Sequence, residues 1–345
     1  MNIEITKLLV RKFAHMGLAI CLVGLAFLAL TTSTEAKGKK YGLFIGVGNY
    51  AVDSLGDGPG KDAQNWKKMM IERFGFAESN TVILVDGDAT REGIIKAIRS
   101  FYPKATEGDL FVVTYSGHGT LFPDRHSPVL DEKEKVVVDL MLPGKDGKLQ
   151  RTYWPLDFYD SAIVPFDAGV EDDMQFLKNL ILDDEMFVLL GPFATKGAKV
   201  VFISDSCHSG TIAKGDVGNG EYKARFFDPR LALGEKGYQD VKTPADQKKA
   251  PEQSSEGFYL TISAAQDDQV AWGGKDGGLF TFSAMLTFEE LGSRAVELNY
   301  ASFFERIRSL VEYASAKTPS LQSPNITTYS MGDPEESFGE KIFQP

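Results

Sequence analysis

From residue 41 onward the chain alternates short apolar runs with stretches whose apolar residues recur every three or four positions. Runs at 41–47, 81–85 and 110–115 have strand length, and the stretches at 61–74 and 90–101 between them have helical period. Strands that alternate with helices predict parallel β-α-β units, a sheet covered by helices on both faces. Within 61–74, Trp66, Met69, Met70 and Phe74 fall at spacings of three and four, a stripe aimed at a core. Thr90 heads the next helix as a capping hydroxyl, with Glu92 in the first turn.

The period weakens between 121 and 196, where a β-hairpin is expected near 136–142, then an acidic stretch with Glu171, Asp172 and Asp173, and a helix at 183–190. An apolar run at 198–204 restores a buried strand. Residues 211–256, rich in Lys, Gly, Asp, Pro and Gln, read as an exposed connector. A last unit brings a strand at 258–263, a helix opened by Gly277 and Gly278 and running to 291, and an amphipathic helix at 300–316. The expected fold class is α/β: three αβα layers around a mostly parallel sheet of about six strands. A larger segment spans about 40–210, a smaller one about 257–326, and a tail 327–345.

Composition narrows the setting. A chain of 345 residues with 43% hydrophobic content builds a packed core. Residues 1–36 stand apart: Lys7, Arg11 and Lys12 precede an apolar stretch at 16–30 and then Thr34-Glu-Ala36, the layout of a cleaved secretory signal. Fifteen apolar residues fall short of the roughly 20 that cross a bilayer, so no stable membrane insertion is expected after cleavage. The protein is thus expected to be exported, to a periplasm or the extracellular space. Losing 1–36 takes three basic and two acidic side chains from 37 and 48, leaving a net charge of −12, which disfavours nucleic acid as a partner. Cys21 leaves with the signal, and Cys207 becomes an unpaired thiol in an oxidising compartment.

That thiol follows a buried strand, in Asp205-Ser-Cys-His-Ser-Gly210, and its polar neighbours argue against a merely space-filling cysteine. The strand at 110–115 ends in Ser116-Gly-His-Gly119. His118 and Cys207 therefore leave the C-terminal ends of two parallel strands, the edge where open α/β sheets carry their chemistry. A thiol attacks a carbonyl as thiolate and needs an imidazole or a positive field to become one. The amides of Gly119 and Cys207 are candidate donors to a developing oxyanion. Gly46-Val-Gly48 after the first strand is a weak dinucleotide signal, because the helix opens only near Lys61. Cys207, His208 and His118 offer too few diverging ligands for zinc.

Tyr115-Ser-Gly-His-Gly119 and Asp205-Ser-Cys-His-Ser-Gly210 resemble the two signatures of caspase-like cysteine peptidases, specifically metacaspases and their bacterial relatives. Gly58-Pro-Gly-Lys-Asp-Ala63, Ser263-Ala-Ala-Gln-Asp-Asp268, Gly278-Leu-Phe-Thr281 and Gln322-Ser-Pro324 extend the likeness over about 40–326. The resemblance implies a caspase-like sandwich, a His118–Cys207 dyad, and hydrolysis of polypeptides after arginine or lysine by a monomer. It assigns the basic side chain to Asp62, Ser116 and Asp205, with Asp267 or Asp268 as a further carboxylate; a carboxylate pairs far better with guanidinium or ammonium than with aspartate. Asp62 is equally placed to cap a helix, and Asp205 to form a turn.

The same resemblance implies calcium as a possible activator, at Asp157, Asp183 and Asp184, although paired acids at a helix start also serve its dipole. Lys214 stands where a fourth acidic ligand would follow. No cofactor is required for the chemistry. The connector carries Lys214, Lys223, Arg225, Arg230, Lys248 and Lys249, candidate cleavage sites for an enzyme of basic specificity, so self-cleavage somewhere in 211–256 is expected; solvated basic residues of a loop are the alternative reading. The competing function is a catalytically silent caspase-like fold that binds peptides or partners.

Overall fold

The computed structural model describes residues 38–123, 129–130, 136–137, 141–143, 149–151, 159–170, 177–207, 222–227, 258–266, 269–330 and 334–345. They belong to one unit, Gly38–Pro345. In chain order the main elements begin with β1 (Lys40–Gly46), α1 (Gly58–Glu72), β2 (Thr81–Val85), α2 (Arg91–Phe101) and β3 (Leu110–Ser116). Next come β4 (Gly119–Pro123), β5 (Tyr159–Ile163), β6 (Ile181–Leu182), α3 (Asp183–Thr195), β7 (Lys199–Asp205) and β8 (Lys223–Ala224). The C-terminal part supplies β9 (Phe258–Ser263), β10 (Trp272–Gly274), β11 (Gly277–Gly278), α4 (Leu279–Leu291), α5 (Tyr300–Ser315), β12 (Asn325–Ser330) and α6 (Pro334–Gly339).

Six strands form the central sheet in the order β12-β9-β7-β3-β1-β2. All pairings are parallel except that of the edge strand β12 with β9. Every residue of β3 is buried, as are all but the first of β1 and β7, which is why these strands read as unbroken apolar runs. Alternate side chains serve opposite faces. Leu110 and Val112 of β3, Val201 and Ile203 of β7, and Leu260 and Ile262 of β9 join one core with α1, α4 and α5. Phe111, Val113, Val200, Phe202 and Tyr259 join the other with α2 and α3. This period of two makes the three layers.

Helix starts follow local chemistry. The Thr90 hydroxyl accepts from the Gly93 amide at 3.1 Å and caps α2. Helix α1 begins at Gly58, three residues before the start expected at 61, because Pro59 fits a first turn that needs no amide donor there. Ala63, Trp66, Met70 and Phe74 are buried in its core, while Met69 is only partly so.

Two expectations differ. The hairpin foreseen at 136–142 is two separate ladders: Val129–Leu130 pairs with Val136–Val137, and Met141–Pro143 with Leu149–Arg151. A single apolar stretch cannot reveal which strands it pairs with, since pairing is non-local. The connector 211–256, expected to be exposed, contains a described stretch, 222–227, in which Arg225 and Phe226 are 1% and 5% exposed. The edge strand β12 falls partly in what the sequence presented as the tail.

Candidate active site

Strand register brings the two signatures together. Ser116, last in β3, lies opposite Asp205, last in β7, and the Gly117 amide donates to the Asp205 carbonyl at 3.4 Å. His118 and Cys207 each stand two residues beyond that pair, on chains about 4.8 Å apart at the strand ends. Both are fully buried.

A buried tyrosine pair fixes the histidine's main chain. The His118 amide donates to the Tyr50 hydroxyl at 3.0 Å, and the Tyr115 hydroxyl donates to the His118 carbonyl at 2.6 Å. A Cβ on Gly117 would run into both hydroxyls, so only glycine fits between them. The imidazole Nε2 lies 2.7 Å from the Asp53 carbonyl and 3.5 Å from the Asp53 carboxylate. A carbonyl can only accept, so Nε2 carries the proton and Nδ1 is left with its lone pair. Asp53 makes this contact from a left-handed backbone, φ 56°. Burial lowers the His118 pKa against the opposing pull of Asp53, which favours the neutral ring.

The sulfur of Cys207 accepts from the Ala271 amide at 2.8 Å and donates to the Ala271 carbonyl at 3.3 Å. Burial pushes the thiol up to about 12, so in this state it stays protonated.

The segment Tyr222–Phe227 covers the pair. Its strand β8 runs antiparallel to β10, Lys223 opposite Gly273 and Ala224 opposite Trp272, and the Arg225 amide donates to the Ala271 carbonyl at 2.9 Å. The Arg225 carbonyl then accepts two bonds, from the Gly119 amide at 2.9 Å and from the Cys207 amide at 3.2 Å. The two donors read from the sequence thus meet on one oxygen.

The Arg225 side chain enters a closed pocket. One terminal nitrogen donates to the Asp62 carboxylate at 2.8 Å. The other bonds the Ser116 hydroxyl and the Asp205 carbonyl, the latter at 2.8 Å, with the Asp205 carboxylate at 3.4 Å. Ser116 donates in turn to Asp62 at 2.7 Å, and the Gly278 amide does so at 3.0 Å. Asp205 is held by the Thr281 amide and hydroxyl at 2.9 and 2.7 Å. Burial, the largest influence, raises the Asp62 carboxyl to about 6 despite the guanidinium beside it. An open cleft of about 530 Å³ continues outward between Leu55, Pro59, Lys223 and Lys275.

Three of the four residues assigned to a basic side chain, Asp62, Ser116 and Asp205, are therefore brought together around one. Asp267 lies outside the described residues, as do Asp268, His208 and Asp157. Asp183 begins α3 and is exposed. Two residues on, Glu185 pairs with Arg91 through both carboxylate oxygens and ties α3 to α2. Among the described residues no three His, Cys, Asp or Glu side chains converge as a metal site. Of the implied calcium set only the side chain of Asp183 is among those described, and no step of the chemistry is routed through that set. Also among the described residues, no helix is long and apolar enough to cross a membrane.

The sequence reading missed the pocket's glycine wall. A Cβ on Gly273 would sit 2.5 Å from the Arg225 Nε and 2.9 Å from Nη2. Gly277, at φ +124°, and Gly278 leave no room for a Cβ against Asp62 and Asp205. Gly273-Gly-Lys-Asp-Gly-Gly278 carried the signal, as glycines where backbone must approach something closely. For a peptidase of the basic specificity that the sequence resemblance implies, Gly273→Ala is expected to lower kcat/KM on arginine peptides by about five- to 150-fold, from about 1–3 kcal/mol of overpacking. Lysine peptides, which carry no planar guanidinium against that wall, should lose less. Equal losses on both would show that Gly273 does not shape the pocket.

A six-stranded sheet with a histidine and a cysteine at the C-terminal ends of adjacent central strands defines a caspase-like α/β domain. The model of the caspase domain matches residues 39–331, and the chain belongs to that peptidase family. Curated relatives include Metacaspase-4 of Arabidopsis thaliana, 30% identical over 53% of this chain and 37% of its own length. Metacaspase-1 of Emericella nidulans is 23% identical over 84% of this chain and 71% of its own. The chain spans 37% and 43% of the two Arabidopsis thaliana relatives Metacaspase-4 and Metacaspase-6. Among solved structures, protein GSU0716 from Geobacter sulfurreducens shares the fold, with a TM-score of 0.59 and 24% identity over 88% of this chain and 98% of that one.

Proposed function

We propose that this protein is a cysteine endopeptidase that cleaves polypeptides after arginine or lysine, and that Tyr222–Phe227 is its own first substrate, held uncut. One observation carries the reading. Arg225 has its guanidinium between Asp62 and Asp205 while its carbonyl oxygen accepts from both the Gly119 and Cys207 amides. An arginine buried for packing alone would not also present its carbonyl to two convergent donors beside a thiol.

In the proposed reaction His118 Nδ1 takes the thiol proton and the sulfur attacks the Arg225 carbonyl carbon. The oxyanion forms between the two amides. The imidazolium returns the proton to the Phe226 nitrogen as the C–N bond breaks, and water then hydrolyses the thioester. For this the sulfur must leave the Ala271 backbone and lose a proton that burial now holds. That need makes the described state a latent one. It also lends support to the second reading, a silent peptide-binding domain whose site stays plugged.

Fluorogenic peptides ending in arginine, lysine or aspartate, assayed with and without calcium, separate the two readings and test the activator suggested by the sequence resemblance. Turnover of the basic peptides is expected; none under any condition would leave the binding reading. During incubation the chain is expected to be cut between Arg225 and Phe226, detected by mass spectrometry. Arg225→Gln should slow that cut by about a hundredfold and Arg225→Lys should keep it. An intact chain alongside turnover of an arginine peptide would refute self-processing. Export with loss of 1–36, and a monomeric state, belong to the same proposal; the N-terminal mass of secreted protein and light scattering test them.

A further inference from the structure

The peptidase reading, on which this inference rests, makes Arg225 the residue before the cut and Phe226 and Phe227 the residues after it. We propose that the site also selects substrates downstream of the cut, favouring a large apolar side chain directly after the basic residue and holding the chain beyond it on β4 through Gly119 and Thr120.

The main chain after the cut, like that before it, is held by hydrogen bonds. Phe226 bridges Gly119 in parallel fashion, and the Phe227 amide donates to the Gly119 carbonyl at 2.8 Å. The Thr120 hydroxyl, fully buried, donates to the Phe227 carbonyl at 2.8 Å. The segment therefore passes from one edge, β10, to another, β4, with the Arg225 carbonyl at the crossing. Such strand addition grips any sequence through its backbone and leaves selection to the side-chain pockets.

Those pockets are apolar and lie on opposite sides, as successive strand residues require. Phe226 is 5% exposed and joins the cluster that contains Cys207, Ala265, Val270 and Ala271. Phe227 packs against the other core, its ring 6.1 Å from that of His118. A carboxylate in place of Phe226 would lose its hydration among apolar neighbours. Glycine there would forgo the apolar burial.

The test uses the full-length protein with a Lys-Ala-Arg coumarin amide, which carries no residues after the cut. Alongside it run quenched peptides continuing as Phe-Phe, Gly-Phe or Asp-Phe. The Phe-Phe peptide is expected to exceed Gly-Phe in kcat/KM by about tenfold and Asp-Phe by about a hundredfold. Thr120→Val should lower the ratio of kcat/KM for Phe-Phe to that for the coumarin amide by about fivefold, and Thr120→Ser should restore it. Turnover of the coumarin amide with equal rates on the three peptides would overturn the inference while leaving the peptidase reading intact. An unchanged ratio in Thr120→Val would overturn the role of Thr120. No turnover of the coumarin amide would defeat both readings together.

Discussion

Replacing Cys207 with alanine is expected to leave a folded protein that cleaves neither arginine peptides nor its own Arg225–Phe226 bond. Removing the nucleophile of such a site takes on the order of 10⁶-fold from kcat, because imidazole, oxyanion donors and pocket then act on nothing. The fold should survive. Cys207 is small, and what the substitution removes is the sulfur that bonds both polar groups of Ala271. A buried amide left without its acceptor costs about 1–3 kcal/mol, so a modest fall in Tm is expected alongside an unchanged circular dichroism spectrum. Residual cleavage within tenfold of the parent would mean that the nucleophile lies elsewhere.

The second large effect falls on Asp62. Asp62→Asn keeps the shape of the side chain but withdraws the charge that faces the guanidinium from a fully enclosed position. Removing one partner of a buried, hydrogen-bonded ion pair costs about 2–5 kcal/mol, or about 30- to 5,000-fold in kcat/KM for arginine peptides. The pH dependence gives an independent readout. Burial, the largest influence, holds this carboxyl at about 6 even with the Arg225 guanidinium beside it pulling it down. The pair needs the ionised form. KM for arginine peptides should therefore rise as pH falls through that range, by up to about tenfold per pH unit, and Asp62→Asn should flatten this dependence. A parent enzyme whose KM is level between about pH 5 and 8 would contradict the assignment of Asp62.

Gly273→Ala acts on the same pocket from the opposite wall, through volume instead of charge. Losses from both variants on arginine peptides, with different arginine-to-lysine ratios, would separate electrostatic from steric selection.

Much of the architecture was legible because its determinants are local. The strand at 258–263 and the helix beginning at Tyr300 show their buried faces in the period of their own residues. The positions of His118 and Cys207 followed from the same logic: each trails an apolar run too continuous for anything but a strand buried on both faces. Asp62, Ser116 and Asp205 came through resemblance, not through pattern, since a lone aspartate in the first turns of a helix looks like any capping acid. Arg225 was legible as one basic residue among eight in a polar connector and no further. Its burial depends on partners that lie 163 positions away at Asp62 and 20 away at Asp205, which composition cannot reveal.

Side-chain periodicity, carried in the chain itself, thus determined the layers, the strand run and the edge where chemistry would sit. The tertiary structure decided what meets there: Asp53 against His118, Ala271 against the sulfur, a glycine wall around a guanidinium, and two amides on one carbonyl oxygen. The division has a physical cause. Burial of a helix or strand face is written every two or four residues, whereas a site is assembled by strand order and register, which arise only when distant segments pack.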